Sequence, residues 1–236
     1  MNVRLASLRA LQQIVQQGQN LDSALDGILP QLDQARDQAL LQHLCYGVLR
    51  WYPQLEFLLQ QLLHKPLKNK DADLRLLLLL GLYQLRFTRI PAHAAVAETV
   101  ALTGNLNKAW ARGMVNAVLR NYPRRQGELE TRLAQDPSAR TAHPPWLLDA
   151  LQQAWPEHWA AIVDANNQQA PMSLRVNCQR GTRDAYIKRL AEAGLEARPA
   201  LHTGSGVILA TPCGVEQLPG FTAGEVSVQD LSLIHI

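Results

Sequence analysis

From Arg4 to Tyr122 the apolar residues of this chain recur at every third and fourth position and never alternate, which restricts that stretch to packed helices. Leu5, Leu8, Leu11 and Ile14 or Val15 mark one face. Leu40, Leu41, Leu44 and Val48 mark a second, and Leu55, Leu58, Leu59 and Leu62 a third behind Pro53. Pro30, Pro53, Pro66 and Pro91 fall between the periodic stretches, as expected of a residue that lacks a backbone donor and collides with the preceding helical turn. The run Leu76 to Leu80, continued by Leu82, Tyr83 and Leu85, is apolar nearly all round and predicts an interior helix, with Asp71 placed to cap it. Arg75, Gln84 and Arg86 interrupt it well short of the ~20 apolar residues a membrane span requires. A bundle of about seven helices is expected here.

The pattern changes after Tyr122. Pro123-Arg-Arg-Gln-Gly127 leads into a short polar helical stretch, and Asp136-Pro-Ser-Ala-Arg-Thr-Ala-His-Pro-Pro145 has the composition of a connector. Residues 146–166 are helical in pattern around Pro156. Beyond them Met172-Ser-Leu-Arg-Val176 alternates, Thr182 to Ala193 forms a capped helix closed by Gly194, and Gly206-Val-Ile-Leu209 and the segment around Val226 and Val228 are short strands. Strand, helix and strands in that order predict a small α+β domain. The expected division is 1–140 for the helical bundle, 141–170 for a helical connector and 171–236 for the α+β domain. The whole is mainly α.

At 236 residues and 47% hydrophobic, the chain has enough apolar material for one large core or two smaller ones, which excludes a disordered protein. Cys45, Cys178 and Cys213 lie far apart and form no zinc-type spacing or disulfide framework, which fits a reducing cytoplasm. No apolar run near the N-terminus is followed by a small-residue cleavage site, so secretion is not expected. The net charge of +3 conceals a division: 17 Lys and Arg face 11 Asp and Glu from Met1 to His143, and 6 face 9 from Pro144 onward, so +6 is offset by −3. The basic half is the one expected to meet a polyanion, an excess that an ordinary solvated face also produces.

The candidate binding surface is the stretch from Thr99 to Gly127, which holds Lys108, Arg112, Arg120, Arg124 and Arg125 and no acidic residue. On a helix starting near Lys108, Ala111, Met114, Val115, Val118 and Tyr122 form an apolar stripe. Lys108, Arg112, Asn116 and Arg120 then recur at every fourth position along the neighbouring face. Cations without nearby carboxylates attract a nucleic-acid backbone and release its counterions, while Asn105, Asn107 and Asn116 supply neutral donors. Arg4 and Arg9 add charge on the first helix, five residues apart and so not stacked. Lys65, Lys68, Lys70, Arg75, Arg86 and Arg89 form a second, weaker group set against Asp71 and Asp73.

Pro91-Ala-His-Ala-Ala-Val-Ala-Glu-Thr-Val-Ala-Leu102, Arg112-Gly-Met-Val-Asn-Ala-Val-Leu-Arg-Asn121 and Tyr46-Gly-Val-Leu-Arg50 together resemble the NusB-type all-helical RNA-binding fold over roughly residues 1–140. Pro145-Trp-Leu-Leu148, Trp155-Pro-Glu-His-Trp159, Ala170-Pro-Met-Ser-Leu-Arg-Val-Asn177 and Val226-Ser-Val-Gln-Asp230 resemble, in order, the segment ahead of the catalytic domain in the RsmB (Fmu/Sun) ribosomal RNA cytosine methyltransferases. The resemblance implies a parent enzyme that uses S-adenosylmethionine to methylate carbon 5 of a cytosine in small-subunit ribosomal RNA. In that family a cysteine thiolate adds to carbon 6 of the base. It further implies that the catalytic residues and the cofactor loop sit in a Rossmann-like domain beginning after Asp230. No catalytic or cofactor-binding residue is therefore expected in this chain, and no methylation by it alone. Ser232-Leu-Ile-His-Ile236 departs from the family pattern and is expected to be a truncated or artificial end.

Cys178 and Cys213 lack the motif and setting of a nucleophile and are expected to be structural. Gly204-Ser-Gly206 is expected to be a turn, because no third glycine or helix follows. His93 is expected to pack or hydrogen-bond. Two other classes stay open on the residues alone: a free-standing antitermination-type RNA-binding regulator, and a helical adaptor whose basic face meets an acidic protein.

Overall fold

A computed structural model describes residues 2–201 and 203–230, so the expectation attached to Ser232–Ile236 lies outside the described residues. The chain forms two compact units, Met1–Asn167 and Gln168–Ile236.

The first unit is helical throughout its described residues. Its elements are α1 (Val3–Gln17), α2 (Leu21–Asp26), α3 (Ala35–Arg50), α4 (Tyr52–Leu62), α5 (Ala72–Phe87), α6 (Ala92–Asn105) and α7 (Arg112–Arg124). They are followed by α8 (Gln126–Gln135), α9 (Pro137–Thr141), α10 (Pro145–Ala154) and α11 (Trp159–Asn167). Seven α-helices thus cover the stretch whose period predicted about seven. Local chemistry sets their ends. The Asn2 side chain accepts from the amides of Arg4 and Leu5 to start α1, and Gly18, at φ 70°, closes it in the left-handed region that glycine enters without strain.

The leucine run becomes the axis of the bundle. Leu74 and Leu76 to Leu80 are all at most 1% exposed, and α5 packs against α1, α3, α4, α6 and α7. At roughly 1.5–3 kcal/mol for each fully buried leucine, this helix is the largest single source of hydrophobic stabilisation in the unit. Close approach of its neighbours depends on two glycines. A Cβ on Gly47 of α3 would lie 1.9 Å from Tyr83 Cζ, and one on Gly81 of α5 would lie 2.8 Å from Leu119 Cδ2 of α7.

Two expectations are corrected. Asp71 occupies the N-cap position of α5, yet its carboxylate makes no cap hydrogen bond and is turned toward Lys108. Within the segment 136–145, Asp136 caps α9 at the Ala139 amide, Ala139 and His143 are buried, and the Ala139 carbonyl accepts from Gln54 Nε2 of α4 at 2.9 Å. His93 is exposed in the first turn of α6 instead of packed. Among the described residues, no helix is long and apolar enough to cross a membrane.

The second unit runs β1 (Ser173–Val176), α12 (Arg183–Glu192), β2 (Ala197–Pro199), β3 (Gly206–Leu209) and β4 (Val226–Val228). The strands form one antiparallel sheet in the order β2-β3-β1-β4. Leu174, Val176, Val207, Leu209 and Val226 turn their side chains into a core with Tyr186 and Leu190 of α12. Thr182 caps α12 at the Ala185 amide, and Gly194 follows at φ 76°. The strand missing from the sequence reading is β2, three residues ending in Pro199. Proline is tolerated there because β2 is an edge strand.

Candidate nucleic-acid interface

Helix α7 is built to present one face. Val115, Val118, Leu119 and Tyr122 are buried against the bundle, while Arg112, Arg120 and Arg124 are exposed at four-residue spacing with Asn116 among them. No carboxylate lies on this helix. Arg120 Nε donates to Asn116 Oδ1 at 3.0 Å, which holds the guanidinium along the helix and leaves the Asn116 amide nitrogen as a donor. Arg112 and Arg124 form no hydrogen bond or ion pair among the described residues. A row of uncompensated cations with an oriented amide matches the backbone-positioning contacts that nucleic-acid binders use.

The remaining expected residues are placed differently. The helix starts at Arg112, after a 3-10 turn at Ala109–Ala111, so Lys108 lies ahead of it and off the stripe. Lys108 Nζ donates to Asp71 Oδ1 at 2.9 Å, to Asp73 Oδ1 at 2.5 Å and to the Lys70 carbonyl at 3.1 Å. Burial opposes the ammonium charge there, but hydrogen bonds and attraction from the two aspartates outweigh it and push the pKa above the usual lysine value. Arg125 forms a bidentate pair with Glu128 at 2.9 Å for each bond and donates to the Gln61 carbonyl. Its hydrogen bonds with Glu128 raise the arginine pKa and lower that of the glutamate. Arg4 donates Nε to Gln84 Oε1 at 2.7 Å and lies 3.8 Å from Glu98. Arg9 is exposed on α1.

Two members of the weaker cationic group are held by partners within the bundle. Arg75 pairs with Glu56 at 2.7 Å. Arg86 is pinned by Gln54, Tyr122 and Glu130, which ties α4, α5, α7 and α8 together. One residue that the charge pattern did not mark is Trp110, 67% exposed and two positions ahead of Arg112. An aromatic inside a basic stretch is the signal that points to it.

Nothing described fits a bound S-adenosylmethionine. Gly204 and Gly206 run into β3 instead of opening a helix, which leaves no strand–glycine loop–helix cradle. Cys45 is fully buried, and burial pushes its thiol up to about 12. Cys178 is exposed and Cys213 is half-buried against the second core. No group of three or more His, Cys, Asp or Glu able to hold a metal occurs among the described residues.

A helical bundle with a cationic outer helix and a small antiparallel α+β unit define the chain as a two-part, mainly helical protein. The chain belongs to the NusB family, whose model matches residues 1–124, and a second model, the ferredoxin-like domain of RsmF/B-like methyltransferases, matches residues 143–216. It is 50% identical over 230 residues to ribosomal RNA small subunit methyltransferase B of Pseudomonas putida. The match covers 98% of this chain and 52% of that protein. The Vibrio cholerae protein of the same name is also 50% identical over 230 residues, covering 98% of this chain and 53% of the relative. The chain thus spans about half the length of the curated relatives it matches. Among solved structures, the crystal structure of PH0851 shares the fold at a TM-score of 0.63 and 13% identity, covering 96% of this chain and 53% of that one. Both matched families agree with the resemblance drawn from the sequence.

Proposed function

We propose that the chain is the N-terminal, RNA-binding portion of an S-adenosylmethionine-dependent methyltransferase that makes 5-methylcytosine in small-subunit ribosomal RNA in the cytoplasm. The names of the relatives support the reaction class. The observation that carries the RNA-binding role is the row Arg112, Asn116, Arg120 and Arg124, whose three arginines are exposed and which no described carboxylate neutralises. In this reading residues 1–140 grip structured RNA, 141–170 join the two parts and 171–236 lead toward the catalytic part. Arg112, Arg120 and Arg124 contact phosphates, and Asn116 orients Arg120 and donates to the RNA. Arg9 adds charge on α1, while Lys108, Arg125 and Arg4 hold the surrounding elements in register through their acidic and amide partners. Methyl transfer and cofactor binding belong to the whole enzyme. The chain alone is expected to bind RNA and to transfer nothing.

Titration of labelled small-subunit ribosomal RNA stem-loops with the chain and with its R112E/R120E variant tests this. Loss of affinity in a variant with unchanged circular dichroism is the expected result. Equal binding by the two proteins overturns the assignment of this face. A complex formed with an acidic protein but not with RNA would favour the adaptor class instead.

A further inference from the structure

The end of α4 and the middle of α7 flank a groove of about 380 Å³, within the range of small-ligand pockets. Leu62, Leu63, Met114 and Val118 make its floor apolar, and Ala117, exposed on α7, leaves it open to solvent. Its walls are fixed from behind. Arg125 Nη1 donates to the Gln61 carbonyl at 3.0 Å and Arg132 Nη1 donates to Gln61 Oε1 at 2.7 Å, which ties the last turn of α4 to the junction of α7 and α8.

The rim is polar and cationic on both sides. His64 and Lys65 are exposed at the α4 edge, and neither forms a hydrogen bond or ion pair among the described residues. At the α7 edge Asn121 lines the groove, and its side-chain amide has no hydrogen-bond partner among the described residues. Arg120 and Arg124 stand three residues beyond Ala117 and Asn121, which makes them neighbours on the helix surface, so the arginine row runs along this edge. No carboxylate lines the groove. The acids of α4 and α8 are committed elsewhere: Glu56 to Arg75, Glu128 to Arg125 and Arg132, and Glu130 to Arg86. The site therefore suits a flat apolar group carried between negative charges.

We propose that this groove receives one unpaired RNA base, extruded from a bulge or loop, while Lys65 and Arg124 hold the phosphates on either side of it. The proposal rests on the RNA-binding reading of α7 and deepens it: the arginine row grips the backbone, and the groove selects RNA that offers an unstacked base. Unpaired bases are the ones proteins splay out and stack on aromatic rings, histidine included, and His64 places such a ring at the rim. Asn121 supplies an amide donor and acceptor to the edge of the base. Extrusion costs least where the base is already unpaired, so a regular duplex is a poorer ligand than a bulged one. Cations on both edges of an apolar slot match a nucleotide, whose base hangs from a backbone with a phosphate on either side.

The test compares two RNAs built on one small-subunit ribosomal RNA stem-loop, one with a single-adenine bulge and one with an abasic site in place of that adenine. Each is titrated with the full 236-residue chain, with A117L, with H64A and with R112E/R120E. Ala117 and His64 are exposed, so neither substitution disturbs the core, and circular dichroism checks that. The parent chain is expected to bind the bulged RNA at least about fivefold more tightly than the abasic one, the effect of one stacked base. In A117L, which fills the groove, and in H64A, which removes the ring, the two affinities should come within about twofold of each other. Loss of the preference in either variant supports the site. Equal binding of the two RNAs by the parent, or an unchanged preference in both variants, overturns it. An unchanged preference in A117L together with lost binding of a Glu/Leu-rich amphipathic peptide would give the groove to a protein partner instead. R112E/R120E should weaken both RNAs and keep their ratio, because the abasic strand retains its phosphates. Failure of the base site is therefore separable from failure of backbone binding by α7.

Discussion

Gly47 of α3 lies against the ring of Tyr83 of α5, so closely that a methyl group on Gly47 would sit 1.9 Å from Cζ and 2.0 Å from the hydroxyl oxygen. The ring has nowhere to retreat. It is 4% exposed, its hydroxyl is 3.2 Å from His43 Nε2, and it packs 5.5 Å from the ring of Phe87. This contact gives a physical reason for glycine in Tyr46-Gly-Val-Leu-Arg50.

Gly47→Ala is therefore expected to destabilise the helical unit by about 1–3 kcal/mol, the cost of overpacking a filled core. Thermal or urea denaturation followed by helical circular dichroism checks it. A variant as stable as the parent would show that α3 and α5 separate without cost.

Lys108 joins the turn before α7 to the start of α5, and Asp71 beneath it is 7% exposed. Lys108→Met strands that carboxylate and is expected to cost about 1–3 kcal/mol. The folded-state pKa of Lys108 is raised, so its contribution is fully present below the ordinary lysine value of about 10.4 and is lost as pH rises through the folded value. The stability gap between parent and variant should accordingly be constant near neutrality and close only above about pH 10.4. A gap that closes on acidification toward neutrality would contradict the assignment.

The cysteines separate by exposure. Cys178 is expected to react promptly with a colorimetric disulfide reagent in the native protein. Cys45, fully buried and with its thiol pushed up to about 12, should react only on global unfolding, so that its rate reports the opening of the helical core. Fast native-state labelling of Cys45, located by peptide mass, would contradict this packing.

Helical period exposed most of the fold, because leucines at positions such as Leu8, Leu11, Leu55 and Leu58 are needed on one face whatever their partners are. The strands at Ser173 and Gly206 were legible for the corresponding reason, alternation. Edge strand β2 was not, since three residues ending in Pro199 carry no period and are defined by pairing with β3. Arg112, Asn116 and Arg120 could be read from spacing, whereas Arg124 takes the fourth place that the sequence reading gave to Lys108. The neutralisation of Lys108 could not, because Asp71 and Asp73 lie 37 and 35 residues away on another helix. An acid-free stretch of sequence is not an acid-free surface, and only the packing of α5 beside α7 distinguishes them.

The central claim is that the exposed cations of α7 bind the RNA backbone. The most direct test is the dependence of affinity for a small-subunit ribosomal RNA stem-loop on salt, between about 50 and 200 mM, for the chain and for R112E/R120E. The account predicts a steep loss of affinity with salt for the parent and a slope shallower by about 1.8 in the variant, two duplex phosphate contacts at about 0.9 each. A slope that is the same in both proteins would contradict it.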